Sequence, residues 1–151
     1  MLTRRWALGA GLVAAALAAG GVAAAQPTPI TVYRISGCTC CEGWIAAMTR
    51  AGFVPKPQLF EDISPIWRRY GVPDRLSSCH MGLVGGYVTV GHVPPADVRR
   101  LLAMRPKAVG VVVPGMPFGS PGMESPTGVR ERYDTLLLLP GGQTRIFAHH
   151  A

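Results

Sequence analysis

Three cysteines lie between a predicted strand and a predicted helix, and this arrangement constrains the fold more than any other feature of the chain. Residues 30–35 (ITVYRI) are rich in β-branched side chains, which is typical of a strand. After a turn of small residues, apolar side chains recur with helical period over residues 41–51. Cys38 and Cys41 form a C-x-x-C pair at the start of that helix, where the helix dipole favours a thiolate. Cys40 adds a third thiol.

The rest of the chain alternates short apolar segments with helices and turns. A strand followed by C-x-x-C on a helix is the thioredoxin-like redox signature. We therefore predict one α/β domain over residues 30–151, with a thioredoxin-like sheet flanked by helices. A Gly/Pro/Met-rich loop over residues 114–123 and a C-terminal β-hairpin complete it. Further predicted strands are 53–60, 81–84, 87–90, 109–113, 133–139 and 144–148. Further predicted helices are 66–70 and one that residues 94–97 open and that runs through about Met104.

The first 25 residues are typical of an export signal. Arg4 and Arg5 precede an almost unbroken apolar stretch that ends in a run of alanines. A basic start, an apolar centre and small residues at the end predict cleavage, here after Ala25, with residues 26–29 as a linker. The paired arginines resemble a twin-arginine signal. The alternative is an uncleaved membrane anchor, because about 20 apolar residues suffice to span a bilayer. We expect a periplasmic protein.

Charge and motifs argue against nucleic-acid and nucleotide partners. The chain has 15 Lys and Arg against 8 Asp and Glu, a formal net charge of +7. The basic residues occur as short pairs and not as an extended basic stripe, so they predict solvated faces and not a nucleic-acid surface. The sequence contains neither a G-x-G-x-x-G nor a Walker-type loop.

A second cluster, Cys79 with His80, is predicted to meet the first. In thioredoxin-like domains the loop before the strand that follows the middle helix faces the C-x-x-C pair and usually holds a cis-proline. Here that place is taken by Cys79 and His80. Thiolates and thioethers select Cu(I), while four-coordinate sulfur sites also suit zinc, the less favoured ion here. The candidate ligands are Cys38, Cys40, Cys41, Cys79 and His80, with His92, Met116 and Met123 as additional candidates.

Two alternatives to a metal site remain open. Cys38 as nucleophile and Cys41 as resolving thiol would form the catalytic pair of a thiol–disulfide oxidoreductase. Four cysteines in an exported protein also permit two structural disulfides. Helical spacing assigns Met48 and Met104 to the core, so they are not candidate ligands.

Four segments of the chain carry a family resemblance. They are CTCC at residues 38–41, SCH at 78–80, VGGYVTVGHVP at 84–94 and VPGMPFGSPGME at 113–124. With these, the chain resembles the CopG-like family of exported bacterial copper-resistance proteins. The family motifs C-x-C-C and C-H correspond to Cys38, Cys40, Cys41, Cys79 and His80. Met81 departs from the small polar residue expected after the C-H motif.

The resemblance implies a function beyond what the residues indicate by themselves. It implies copper bound by the cysteines, as a single ion or as a multinuclear thiolate-bridged cluster. We therefore expect a periplasmic protein that sequesters, transfers or changes the oxidation state of copper, with copper ions and other periplasmic copper proteins as partners. We also expect the loop 114–123 to close over the site and to bring Met116 near Cys38.

Overall fold

The computed structural model describes residues 26–151, and the predicted export signal lies outside that range. The described residues form seven strands, three α-helices and one short 3-10 helix. Within the described residues no helix is both long enough and apolar enough to cross a membrane. In chain order the elements are β1 Thr28–Ile35, α1 Thr39–Arg50, β2 Phe53–Phe60, α2 Ser64–Arg69, the 3-10 turn Asp74–Leu76, β3 His80–Val84, β4 Tyr87–Val90, α3 Pro95–Met104, β5 Gly110–Val112, β6 Tyr133–Leu138 and β7 Thr144–His150.

The strands form one mixed sheet in the order β2-β1-β3-β4-β5-β6-β7. The pairs β1–β2 and β4–β5 are parallel, and the other neighbouring pairs are antiparallel. The predicted α/β class and the C-terminal hairpin are confirmed. β2 lies at an edge, as Pro55 and Pro57 require, because proline has no N–H for a second neighbouring strand.

Both faces of the central strands are covered. One face carries α1 and α3, which bury Trp44, Met48, Val98 and Leu101 against the sheet. The other face is covered by α2, the 3-10 turn and the segment between them. All four residues of β4 are buried, which explains why that strand is continuously apolar apart from one threonine.

The two helical methionines assigned to the core behave differently. Met48 is fully buried in α1, which confirms the prediction. Met104 is 56% exposed, so the prediction for it is wrong. It is the last residue of α3, and Arg105 follows in the left-handed conformation, so the buried stripe of the helix does not continue to its end.

A buried polar contact ties α3 to the C-terminal hairpin. The hydroxyl of Thr135 donates to Asp97 Oδ2, and His150 Nε2 lies 2.8 Å from the same oxygen. Asp97 is 6% exposed in the first turn of α3. The contact fixes β6 and β7 against the helix that flanks the central strands.

Candidate metal centre

The turn between β1 and α1 meets the start of β3 because those two strands are neighbours. β1 and β3 are antiparallel, with Arg34 opposite His80. The end of β1 therefore lies beside the start of β3, and the N–H of Ile35 donates to the Cys79 carbonyl at 3.2 Å. Residues before β3 thus face residues that enter α1, as the sequence predicted for the two cysteine clusters.

The helix α1 begins two residues earlier than its apolar period indicated. Cys38 is the N-cap, and its Sγ accepts a hydrogen bond from the N–H of Cys41 at 3.3 Å. Cysteine takes the place of the serine or aspartate usual at this position. A sulfur that accepts such a bond at a helix N-terminus is stabilised as a thiolate when reduced.

All four cysteine sulfurs lie within 4.8 Å of one another. Cys40 Sγ is 3.3 Å from Cys38 Sγ and 3.6 Å from Cys79 Sγ. Cys41 Sγ is 3.3 Å from Cys79 Sγ. Cys38 and Cys41 form a disulfide, and Cys40 and Cys79 are free thiols. The fold therefore brings the two predicted clusters into one sulfur site.

The site spans the boundary between the surface and the core. Cys41 is fully buried, whereas Cys38, Cys40 and Cys79 are partly exposed. Burial, and then the neighbouring Cys40, raise the pKa of the Cys79 thiol to about 11. In the metal-free protein Cys79 is thus a neutral thiol at neutral pH, and a bound metal would have to displace its proton.

His80 and His92 lie beneath the sulfur site, and neither side chain is exposed. His80 Nδ1 is 3.6 Å from Cys79 Sγ. Burial, together with the neighbouring His92, lowers the pKa of His80 to about 3, and burial also lowers the pKa of His92. Both rings are therefore neutral at pH 7, the form in which an imidazole binds a metal.

The Gly/Pro/Met-rich loop packs against the first turn of α1. A Cβ on Gly122 would lie 2.5 Å from the backbone nitrogen of Trp44 and 2.6 Å from the carbonyl oxygen of Cys40. Only glycine allows so close an approach. Met116 in the same loop is 55% exposed, while Met123 is partly buried. That either methionine binds copper, and that Met116 approaches Cys38, stay predictions.

Two residues at the site were not identified from the sequence. Arg34 donates to the Cys38 carbonyl at 3.1 Å and to Glu42 Oε1 at 3.2 Å, so it holds the cysteine turn against α1. Trp44 donates from Nε1 to the Val93 carbonyl at 2.9 Å, and its ring lies 4.7 Å from that of His80. Arg34 lies near the end of β1, and its side chain contacts Cys38 and Glu42, four and eight positions later in the chain. The periodicity of the sequence does not indicate these contacts.

The donor set fits a soft metal ion. It combines four sulfurs with two buried imidazoles, and Nε2 of both His80 and His92 lacks a hydrogen-bond partner. An unpartnered buried nitrogen is unfavourable unless something binds it. Thiolates with imidazoles suit Cu(I) and zinc better than the hard cations that prefer oxygen.

Comparisons with known proteins agree with this site. The family described as "Protein of unknown function, DUF411" matches residues 76–123, which include Cys79, His80 and His92. Comparison with curated proteins gives no match. Two solved structures, both titled as copper resistance protein CopG, are 38% identical to this chain and cover 83% of it. The TM-scores are 0.78 for Form 2, covered over 100% of its length, and 0.77 for Form 1, covered over 98%. The chain belongs to the CopG family of copper resistance proteins.

Proposed function

We propose that the protein binds copper as Cu(I) in the periplasm and acts in copper handling or resistance. Cys38, Cys40, Cys41 and Cys79 hold the metal, and His80 completes the ligand set. The observation that carries the proposal is the convergence of four sulfurs within 4.8 Å. The copper resistance proteins among its relatives favour copper over zinc as the ion.

The number of sulfurs available to copper depends on the Cys38–Cys41 disulfide. Only a thiolate binds the metal well, so closing the disulfide removes two of the four ligands. Copper at the complete sulfur site therefore requires the reduced protein. When bound there, copper would supply one-electron redox chemistry, and the chain would supply thiolates that favour the Cu(I) state.

Cys40 is the residue that separates this site from an ordinary dithiol pair. Its sulfur is 3.3 Å from that of Cys38 and 3.6 Å from that of Cys79. Disulfide exchange between two cysteines has no need of a third sulfur in that position. A copper ion bound by several thiolates, or a multinuclear cluster whose ions thiolates bridge, would use it as a ligand.

The second candidate function is thiol–disulfide exchange, with Cys38 as nucleophile and Cys41 as resolving thiol. The observation in its favour is the disulfide between the partly exposed Cys38 and the buried Cys41 at a helix N-terminus. An accessible first cysteine beside a buried second one suits exchange with another protein. The β1-α1-β2 unit that carries the pair also supports the thioredoxin-like interpretation.

Replacing Cys40 or Cys79 by serine separates the two functions. A copper site loses a sulfur ligand in C40S and in C79S, so Cu(I) affinity measured by competition with a chromophoric chelator falls by about tenfold or more. Dithiol exchange depends on Cys38 and Cys41 and continues in both variants. T39S, between Cys38 and Cys40, is the matched control and should retain wild-type affinity. Unchanged copper affinity in C40S and C79S contradicts the copper proposal.

Residues 1–25 are proposed to direct export and to be removed afterwards. The support is the sequence of that segment: Arg4 and Arg5, the apolar stretch and the terminal alanines. The intact mass of protein recovered from the periplasmic fraction tests this, and it should correspond to a chain that begins at Gln26. Recovery of the uncleaved chain in the membrane fraction would contradict it.

A further inference from the structure

The outward side of α3 and an edge strand of the sheet together present exposed basic side chains. We call the following five residues the α3 basic surface: Arg99, Arg100, Arg105, Lys107 and Arg145. The first two lie in α3, and the next two follow its end. Arg145 belongs to the same face because it stands opposite Leu137, which packs in the core beneath α3.

The segments that form this surface contain no exposed carboxylate. Between residues 75 and 123 the only Asp or Glu in the sequence is Asp97, and residues 135–151 contain none. Asp97 is 6% exposed, and its Oδ2 is bonded to Thr135 and His150 inside the protein. The α3 basic surface is therefore a patch of one sign, although the whole chain carries charges of both signs.

Aromatic rings hold three of these arginines in place. Each guanidinium carbon is 4.6–5.6 Å from a ring centre, in the pairs Arg99–Phe53, Arg100–Phe147 and Arg105–Tyr87. Arg100 also donates to the Phe147 carbonyl at 3.0 Å. A guanidinium has five N–H donors, so a stacked arginine keeps donors for an anion. Because the side chains are already ordered, binding an anion there costs little additional side-chain entropy.

The start of the described chain lies at the same surface. A cavity of about 280 Å³ beside Arg99 is also lined by Gln26 and Thr28. The apolar segment 6–25 directly precedes Gln26 in the sequence. A domain joined at Gln26 to a membrane-inserted export signal therefore presents this surface to the lipid. Cleavage after Ala25 would leave a new, positively charged α-amino group at the same place.

We propose that the α3 basic surface binds the phosphate groups of an anionic phospholipid membrane. Near an anionic lipid surface each Lys or Arg strengthens binding by about fivefold. Met104, which is 56% exposed in the last turn of α3, adds an apolar contact. An acidic protein would match the charge as well, but the position of Gln26 favours the membrane. The proposal does not depend on copper binding.

Docking by this surface would leave the metal centre away from the lipid. The cavity beside Arg99 lies at the start of β1, whereas the cysteine turn follows the other end of that strand. The eight residues of β1 span about 25 Å. A docked protein therefore keeps its sulfur site open to the solution.

Vesicle sedimentation of the exported protein tests the proposal. Vesicles of phosphatidylcholine and phosphatidylglycerol in equal amounts should bind the protein at low ionic strength and release it in high salt, since salt screens exposed charges. Vesicles of phosphatidylcholine alone should not bind it. R99Q/R100Q should weaken binding to the anionic vesicles by about tenfold or more. The matched control is R68Q/R69Q, an exposed arginine pair in α2 on the other face of the sheet, which should weaken binding by less than about threefold.

Three results would overturn the proposal. One is a protein that does not sediment with the anionic vesicles; if it binds polyglutamate instead, the partner is an acidic protein. Another is equal weakening in the two double variants, because net charge and not this surface would then explain binding. The third is equal binding to both kinds of vesicle, which would indicate apolar insertion. If R99Q/R100Q does not fold, R105Q/R145Q takes its place in the same comparison, since it removes two charges from the same surface.

Discussion

The contact between Gly122 and the first turn of α1 gives a prediction that can be worked out in magnitude. Gly122 has a φ of +85°. An added Cβ would lie 2.5 Å from the backbone nitrogen of Trp44 and 2.6 Å from the carbonyl oxygen of Cys40. Both neighbours are backbone atoms in a helix and cannot rotate away. G122A therefore combines an unfavourable backbone conformation, about 1–2 kcal/mol, with overpacking, about 1–3 kcal/mol.

Gly115, in the same loop, provides the control. Its φ is +72°, but an added Cβ would meet nothing within 4 Å. G115A should thus lower the free energy of unfolding by the conformational term alone, about 1–2 kcal/mol. The difference between the two variants, about 1–3 kcal/mol, measures the packing of the loop on the helix.

Denaturant unfolding of the metal-free, oxidised proteins measures both values. The fluorescence of the tryptophans reports the transition, since Trp44 is fully buried in the native state. Equal losses of stability in G122A and G115A would refute the close packing of the loop against the helix that carries the cysteines.

Three further predictions concern the C-terminal contact, the reactivity of a thiol and the methionines of the loop. D97N should lower the free energy of unfolding in a denaturant titration by about 1–3 kcal/mol, because the buried carboxylate accepts hydrogen bonds from β6 and β7. The control is D134N, at an exposed contact with His149, which should change that free energy by less than about 1 kcal/mol. Alkylation of Cys79 in the metal-free protein should accelerate about tenfold per pH unit up to its pKa of about 11, since only the thiolate reacts; a rate that levels off near pH 8 would contradict this. M116L/M123L should weaken copper binding and alter its X-ray absorption spectrum, and a variant unchanged in both measurements would remove these residues from the site.

The local elements could be predicted from the sequence because their signals are local. β2 and β4 have the predicted bounds and α3 ends at the predicted Met104, since prolines, glycines and apolar periodicity mark these ends. The start of α1 was placed two residues late because Cys38 caps it, and a cysteine at that position is not a usual N-cap signal. Met104 is exposed because it is the last residue of α3 and lies beyond the part of the helix that packs on the sheet. Helical spacing alone does not indicate where that packed part ends.

The convergence of the two cysteine clusters was also predictable, but the roles of the residues around them were not. The clusters meet because β1 and β3 are neighbours, an arrangement that the order of elements already indicated. Arg34, Trp44 and the His92–Pro121 contact depend on side-chain directions and on long-range pairings between elements. His92 is an example. The ring centres of His80 and His92 are 5.1 Å apart, and their separation along the sequence does not predict this contact.

The most direct test of the central claim is the copper content of the protein purified anaerobically after exposure to copper, with free thiols counted in the same sample. We predict about one copper or more per chain, lost when both Cys38 and Cys79 are replaced by serine. A protein that contains no copper, and whose Cys38 and Cys41 cycle reversibly between dithiol and disulfide, would contradict it and favour thiol–disulfide exchange.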